Sequence, residues 1–219
     1  LRAVRAWLGS GTSPAFAPRI FDPADPRLVR LDYGENEAPM PPQLVEGLLA
    51  SSLVAPGKRE ETGLPAAVAA FLLETRGVRY APGEIVTAQG VWPLMNDLGL
   101  ALARRLGRTP RVWLVTPCYG LLPPTWGLTG CESLQGPLSA LLARREPVDA
   151  VVISQPANPA GRYLAHRELV SLAGWIVEHQ SLLVSDEIFG LLSLTNPNTE
   201  TVMSPVGLEL AVPGVGART

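Results

Sequence analysis

Asp186 closes the apolar run Leu182-Leu183-Val184, and an acid in that position is costly to bury unless something pairs with it. One chemistry for such an acid is to hold a divalent cation beside a nucleotide. That requires a glycine-rich loop ending in Gly-Lys-Ser/Thr, and the sole lysine of the chain lies in Gly57-Lys58-Arg59. The other chemistry is a carboxylate that keeps a heteroaromatic nitrogen protonated. Three further stretches fit that second use. Gln155-Pro156-Ala157-Asn158-Pro159-Ala160-Gly161 carries the turn-forming pair Asn-Pro and an amide able to donate a hydrogen bond. Thr116-Pro117-Cys118-Tyr119-Gly120 offers an aromatic face, which stacks on a planar ring or simply packs its loop. Gln89-Gly90-Val91-Trp92-Pro93 opens a helix, and a helix start with glycine suits an anion such as phosphate, or is an ordinary strand-to-helix turn.

A phosphate cradle, a stacking aromatic, an amide donor and a ring-pairing acid together describe a pocket for pyridoxal 5'-phosphate. Their order along the chain resembles that of the class I/II aminotransferases among the fold type I pyridoxal-phosphate enzymes. The resemblance runs from about Leu31 to Phe189. Asp32-Tyr33-Gly34-Glu35-Asn36-Glu37-Ala38-Pro39-Met40-Pro41 is similar to the family's opening segment and implies that Gly34 lies near the substrate carboxylate. Gly90 and Val91 match its phosphate-binding turn, and Tyr119 its ring-stacking aromatic. Ser154 to Gly161 resembles the N-P-x-N-P-[TA]-G segment, which implies that Asn158 contacts the cofactor's phenolic oxygen. Ser185-Asp186-Glu187-Ile188-Phe189 resembles S-D-E-[IV]-[YF], which implies that Asp186 pairs with the ring nitrogen and is the catalytic acid present.

Three departures accompany these matches. Phe189 stands where many members have a tyrosine, leaving Asn158 as the phenolic-oxygen donor. Lys58 and Arg59 lie where some members place a tyrosine that reaches the neighbouring subunit's phosphate. The third is the weightiest: the family's cofactor-linked lysine lies downstream of the aspartate, and no lysine follows Lys58. Its accompanying arginines are missing too. The resemblance therefore implies an aminotransferase chain that stops before its lysine, acting in intact form as a homodimer on an amino acid and a keto acid. A lyase or decarboxylase of the same fold would share these motifs. A non-catalytic degenerate domain or gene fragment is the third reading.

The elements that must position these residues alternate. Strands are expected at Glu84–Ala88, Arg111–Val115, Ala150–Ser154 and Leu182–Ser185. Helices are expected at Gln43–Ser52, Leu64–Arg76, Pro93–Leu106, Leu121–Leu128, Pro137–Arg145 and Arg167–Glu178. In the last of these, Leu169, Leu172, Ala173 and Ile176 follow helical spacing. Such alternation predicts an α/β fold with a mostly parallel sheet sandwiched by helices. The resemblance makes it the pyridoxal-phosphate transferase large-domain type, incomplete at its C-terminal side. Ligands in such sheets sit beyond the carboxyl ends of the strands, where all four stretches fall. The expected organisation is an N-terminal arm and opening segment over 1–52, with an amphipathic helix at its start, and a partial cofactor-binding domain over 53–219. From Gly190 onward the pattern reads as loop.

Composition bounds the partners. Twenty acids against 18 bases give a net charge of −2 with no basic stripe, which argues against nucleic acid. The uncharged run from Val112 to Cys131 is broken by Pro117, Pro123 and Pro124, so no membrane span is expected there. Cys118 and Cys131 lack metal-ligand spacing, so no metal site is expected, and two thiols fit a reducing cytoplasm.

Overall fold

A computed structural model of the chain describes residues 39–52 and 63–190. The expected N-terminal helix, Gly34, Lys58, Arg59 and the segment after Gly190 lie outside the described residues. The chain divides into two compact units, Leu1–Arg59 and Glu60–Thr219. In the first unit the described element is helix α1 (Pro42–Ser52), whose proline suits a first helical turn.

The second unit holds α2 (Leu64–Arg76), a short 3-10 turn (Pro82–Glu84), α3 (Val91–Leu106), β1 (Arg111–Val115), α4 (Leu122–Leu128), β2 (Glu132–Gly136), α5 (Leu138–Leu142), β3 (Ala150–Ser154), α6 (His166–His179) and β4 (Leu182–Asp186). Gly77 and Gly107 end α2 and α3 in the left-handed conformation expected of helix stops. The four strands are all parallel, in the order β2-β1-β3-β4.

Successive strand residues face opposite sides, and the sequence serves both. Val112, Leu114, Ala150 and Val152 join Met95 of α3 and Leu122 and Trp126 of α4 in one core. Trp113, Val115, Val151, Ile153 and Leu183 join Leu138 and Leu141 of α5 and the apolar stripe of α6 in the other. All four residues of the α6 stripe, Leu169, Leu172, Ala173 and Ile176, are buried. A strand apolar on both faces is what a parallel sheet covered on both sides demands.

Three elements differ from the sequence expectation, two in kind and one in length. Glu84–Ala88 is not a strand: Glu84 ends the 3-10 turn, and 85–88 pairs with no strand among the described residues. Ile85 and Val86 instead line an apolar groove of about 540 Å³, bordered by Leu182 and Val184 of β4 and by Val68 and Leu72 of α2. Conversely, Glu132–Gly136 is a strand that periodicity did not reveal. Its lone strong apolar residue is Leu134, and as an edge strand it needs a ladder partner, which β1 supplies, more than a buried face. Helix α5 is also shorter than the expected Pro137–Arg145, with Pro137 as its N-cap.

Among the described residues no helix is long and apolar enough to cross a membrane.

Candidate functional site

The direction of α3 decides where Gly90 sits. Its C-terminal end leads through Gly107 to Arg108, which pairs with Asp149 immediately before β3, at the amino edge of the sheet. A helix of 16 residues runs about 24 Å, against about 16 Å for a five-residue strand. The helix therefore returns antiparallel to the strands, with its N-terminus at their carboxyl edge. Gly99, at mid-helix, allows the approach to α4: a Cβ there would collide with the Thr129 side chain.

Gly90 is the N-cap, at φ 99° and ψ 174°, a conformation close to glycine-only. No side chain caps the helix, so the first-turn amides of Val91 and Trp92 face outward at the positive end of the dipole, while Pro93 carries no N–H. The Val91 side chain packs on the first core and anchors that turn.

Tyr119 follows β1 by four residues and is 43% exposed. Neighbouring Cys118 is half-buried, and burial pushes its thiol above the usual range, which does not prime it as a nucleophile.

β3 and β4 are in register, with Ser154 opposite Asp186, and the Gln155 N–H donates to the Asp186 carbonyl at 2.8 Å. The loop after β3 is tied to itself: Ala157 N–H to Arg162 O at 2.9 Å, and Gly161 N–H to Ala157 O at 2.7 Å. Asn158 lies inside that turn, half-buried, with no side-chain hydrogen bond among the described residues. Gln155 is buried, and its Oε1 accepts the Leu164 N–H at 3.0 Å. Its position between strand end and Asn-Pro turn was the sequence signal available for it.

Asp186 is half-buried. Its Oδ1 accepts the Ile188 N–H at 3.2 Å, and no cation among the described residues pairs with it. Burial, together with neighbouring Glu187, raises its carboxyl above the usual carboxylate range, and the Ile188 amide opposes that only partly. The partner expected for this acid is thus a backbone amide alone.

The structure brings Gly90, Val91, Tyr119, Asn158 and Asp186 to the carboxyl edge of one parallel sheet. Gly34, outside the described residues, is not among them. The apolar groove beside β4 is lined by none of the five. Among the described residues no cluster of His, Cys, Asp or Glu is suited to a metal ion.

This donor set fits most of pyridoxal phosphate. A ring N–H⁺ would supply the positive charge that Asp186 lacks, the Asn158 amide is uncommitted, and the helix start offers amides to a phosphate. An amine for the aldehyde is missing from the described residues, which contain no lysine.

Residues 60–213 match the family model described as aminotransferase class I and II. The chain is 32% identical over 168 residues to 4-dedimethylamino-4-oxo-anhydrotetracycline transaminase OxyQ of Streptomyces rimosus, covering 74% of this chain and 45% of that protein. Among solved structures it resembles aminotransferase AspB from Helicobacter pylori, with a TM-score of 0.68 at 20% identity over 82% of this chain and 50% of the other. It also resembles cystalysin from Treponema denticola, a structure containing pyridoxal 5'-phosphate, with a TM-score of 0.61 at 20% identity over 78% and 46%. The chain spans about half the length of the curated relatives it matches.

Proposed function

The chain belongs to the aminotransferase class I and II family, and on that premise we propose that it is the cofactor-binding part of a pyridoxal-phosphate-dependent enzyme moving an amino group between an amino acid and a keto acid. The single observation that carries this reading is the half-buried Asp186 carboxylate, raised by burial and without a cation among the described residues, in register with Ser154 just before the Asn158 loop. Pyridoxal phosphate supplies an aldehyde and an electron-withdrawing pyridinium. Asp186 holds the proton on the ring nitrogen, Asn158 donates to the phenolic oxygen, Tyr119 covers one ring face, and the amides after Gly90 receive the phosphate. Gly34 is proposed to lie by the substrate carboxylate. A charged hydrogen bond such as that of Asp186 is worth about 1.5–3 kcal/mol, or roughly ten- to hundredfold in affinity.

The whole protein is proposed to act in the cytoplasm, where the free thiols of Cys118 and Cys131 persist. A homodimer is supported by the apolar residues Leu64, Phe71 and Leu73 that α2 leaves exposed.

The test is titration of the purified chain with pyridoxal phosphate, followed by absorbance and by borohydride reduction with mass mapping. Reversible binding weakened ten- to hundredfold by Asp186→Ala is expected, without stoichiometric labelling of a side chain. Binding indifferent to Asp186, or specific labelling at Lys58, overturns the assignment. Assay of the whole protein with an amino acid and a keto acid separates amino transfer from release of CO₂ or ammonia.

A further inference from the structure

Gln155 is hydrogen-bonded to the backbone of Asp186 and across the loop that carries Asn158. Its backbone N–H ends the β3–β4 ladder on the Asp186 carbonyl at 2.8 Å. Its side-chain Oε1 accepts the Leu164 N–H at 3.0 Å, which closes the loop carrying Asn158 across nine residues. On the far side of that closure, Glu168 accepts the Ala165 N–H at 2.8 Å and pairs with Arg162 at 2.7 Å, so the segment leading into α6 is fixed as well.

The burial of this amide is unusual in one respect. Gln155 is 2% exposed, yet its Nε2 has no hydrogen-bond partner among the described residues. Leaving a buried donor unpaired offsets what the Oε1 bond contributes. A methionine of similar volume would remove the unpaired Nε2 but leave the Leu164 N–H without its acceptor. In stability the Oε1 bond and the unpaired Nε2 oppose each other, and the position of the loop adds a direct reason for glutamine. Without the Oε1 bond the loop keeps its internal ties, Ala157 to Arg162 and Gly161 to Ala157, the backbone bond of Gln155 to Asp186, and a 3.5 Å bond from the Tyr163 hydroxyl to the Gly190 carbonyl. Those bonds hold the loop's start beside β4 but do not tie its far end, at Leu164, to the end of β3.

We propose that Gln155 is a positioning residue: it sets the Asn158 amide relative to the Asp186 carboxylate, so that one ring can meet both. The inference rests on the function proposed above. It does not require Gln155 to touch the cofactor.

The test compares wild type with Gln155→Met, Gln155→Glu, Asn158→Ala and the Gln155→Met/Asn158→Ala pair. Pyridoxal phosphate is the probe, and the pH at which its bound phenolic group ionises is read by absorbance. Gln155→Met is expected to shift that midpoint in the same direction as Asn158→Ala, with the pair shifting it no further than Asn158→Ala alone. Gln155→Glu, which keeps an acceptor for Leu164, is expected to retain more of the wild-type midpoint than Gln155→Met. Amide hydrogen exchange without the probe gives an independent reading. At least a tenfold faster exchange at 157–164 is expected in Gln155→Met, with Val151 and Val152 unchanged. A midpoint unmoved by Gln155→Met but moved by Asn158→Ala overturns the proposal, as does unchanged exchange in the loop. Should Gln155→Met fail to fold, its role is structural and the proposal falls. If wild type binds no probe, the functional reading fails, and the exchange comparison still decides whether Gln155 holds the loop.

Discussion

The two edges of the sheet each present an aspartate next to a strand, and they treat it in opposite ways. At the amino edge Asp149 is gripped by both Arg108 nitrogens, one at 2.9 Å, and accepts the Arg111 N–H at 2.7 Å. Burial alone would raise its carboxyl, but the Arg108 and Arg111 interactions outweigh that and hold it below the usual range. At the carboxyl edge Asp186 has one backbone amide and an acidic neighbour, and burial wins. Ser154 Oγ and Gln155 Nε2, at and just after the end of β3, are buried without partners among the described residues. One edge has its charges satisfied internally. The other keeps polar capacity unspent, which costs stability and is the condition for binding something that brings a positive charge.

The largest effect expected from this contrast is on stability. Asp149→Ala removes a charged hydrogen-bond set that joins Arg108 to the start of β1, and should cost about 1.5–3 kcal/mol in denaturant unfolding. A loss well below that would mean the amino edge is not a structural clasp. Gly90→Ala comes next, because its φ of 99° is one that alanine resists; about 1–3 kcal/mol is expected. It should also weaken pyridoxal-phosphate binding, and unchanged binding would detach the α3 N-terminus from the phosphate. Tyr119→Leu should leave stability within about 0.5 kcal/mol, since the ring is exposed. It should weaken binding of the probe by roughly two- to tenfold, the worth of an aromatic pair.

The smallest and most diagnostic effect lies in pH. Asp149 has a lowered carboxyl, so its contribution is present above its unfolded value near 3.8 and is lost as pH falls through the folded value. Asp186 has a raised carboxyl, so the folded chain loses stability as pH rises from near 3.8 through the folded value. Asp186→Asn is therefore expected to be slightly more stable than wild type at pH 7, with the advantage vanishing on acidification. Asp149→Asn should be less stable at pH 7, with its deficit shrinking on acidification. Thermal unfolding across this range checks both, and parallel curves for the two variants would erase the contrast between the edges.

Much of this was legible before folding. β1, β3 and β4 announce themselves because a strand buried on both faces must be apolar throughout. α6 does so because one face must be apolar at helical spacing. The motif order around Gly90, Tyr119, Asn158 and Asp186 also pointed to the carboxyl edge. β2 escaped notice because an edge strand can form through its ladder with a sequence as mixed as Glu-Ser-Leu-Gln-Gly. Ile85 and Val86 misled for the complementary reason: apolar, extended residues form a strand only where another strand is there to pair with.

The sequence by itself determined the layered α/β architecture and the residue types at the strand ends, since periodicity, turn chemistry and glycine stops are local properties. Only the tertiary structure decided that Asp149 is neutralised and Asp186 is not, and that Gln155 ties one strand end to the next. Those outcomes depend on which charges and amides the chain brings together from distant positions, and no local pattern encodes that distance.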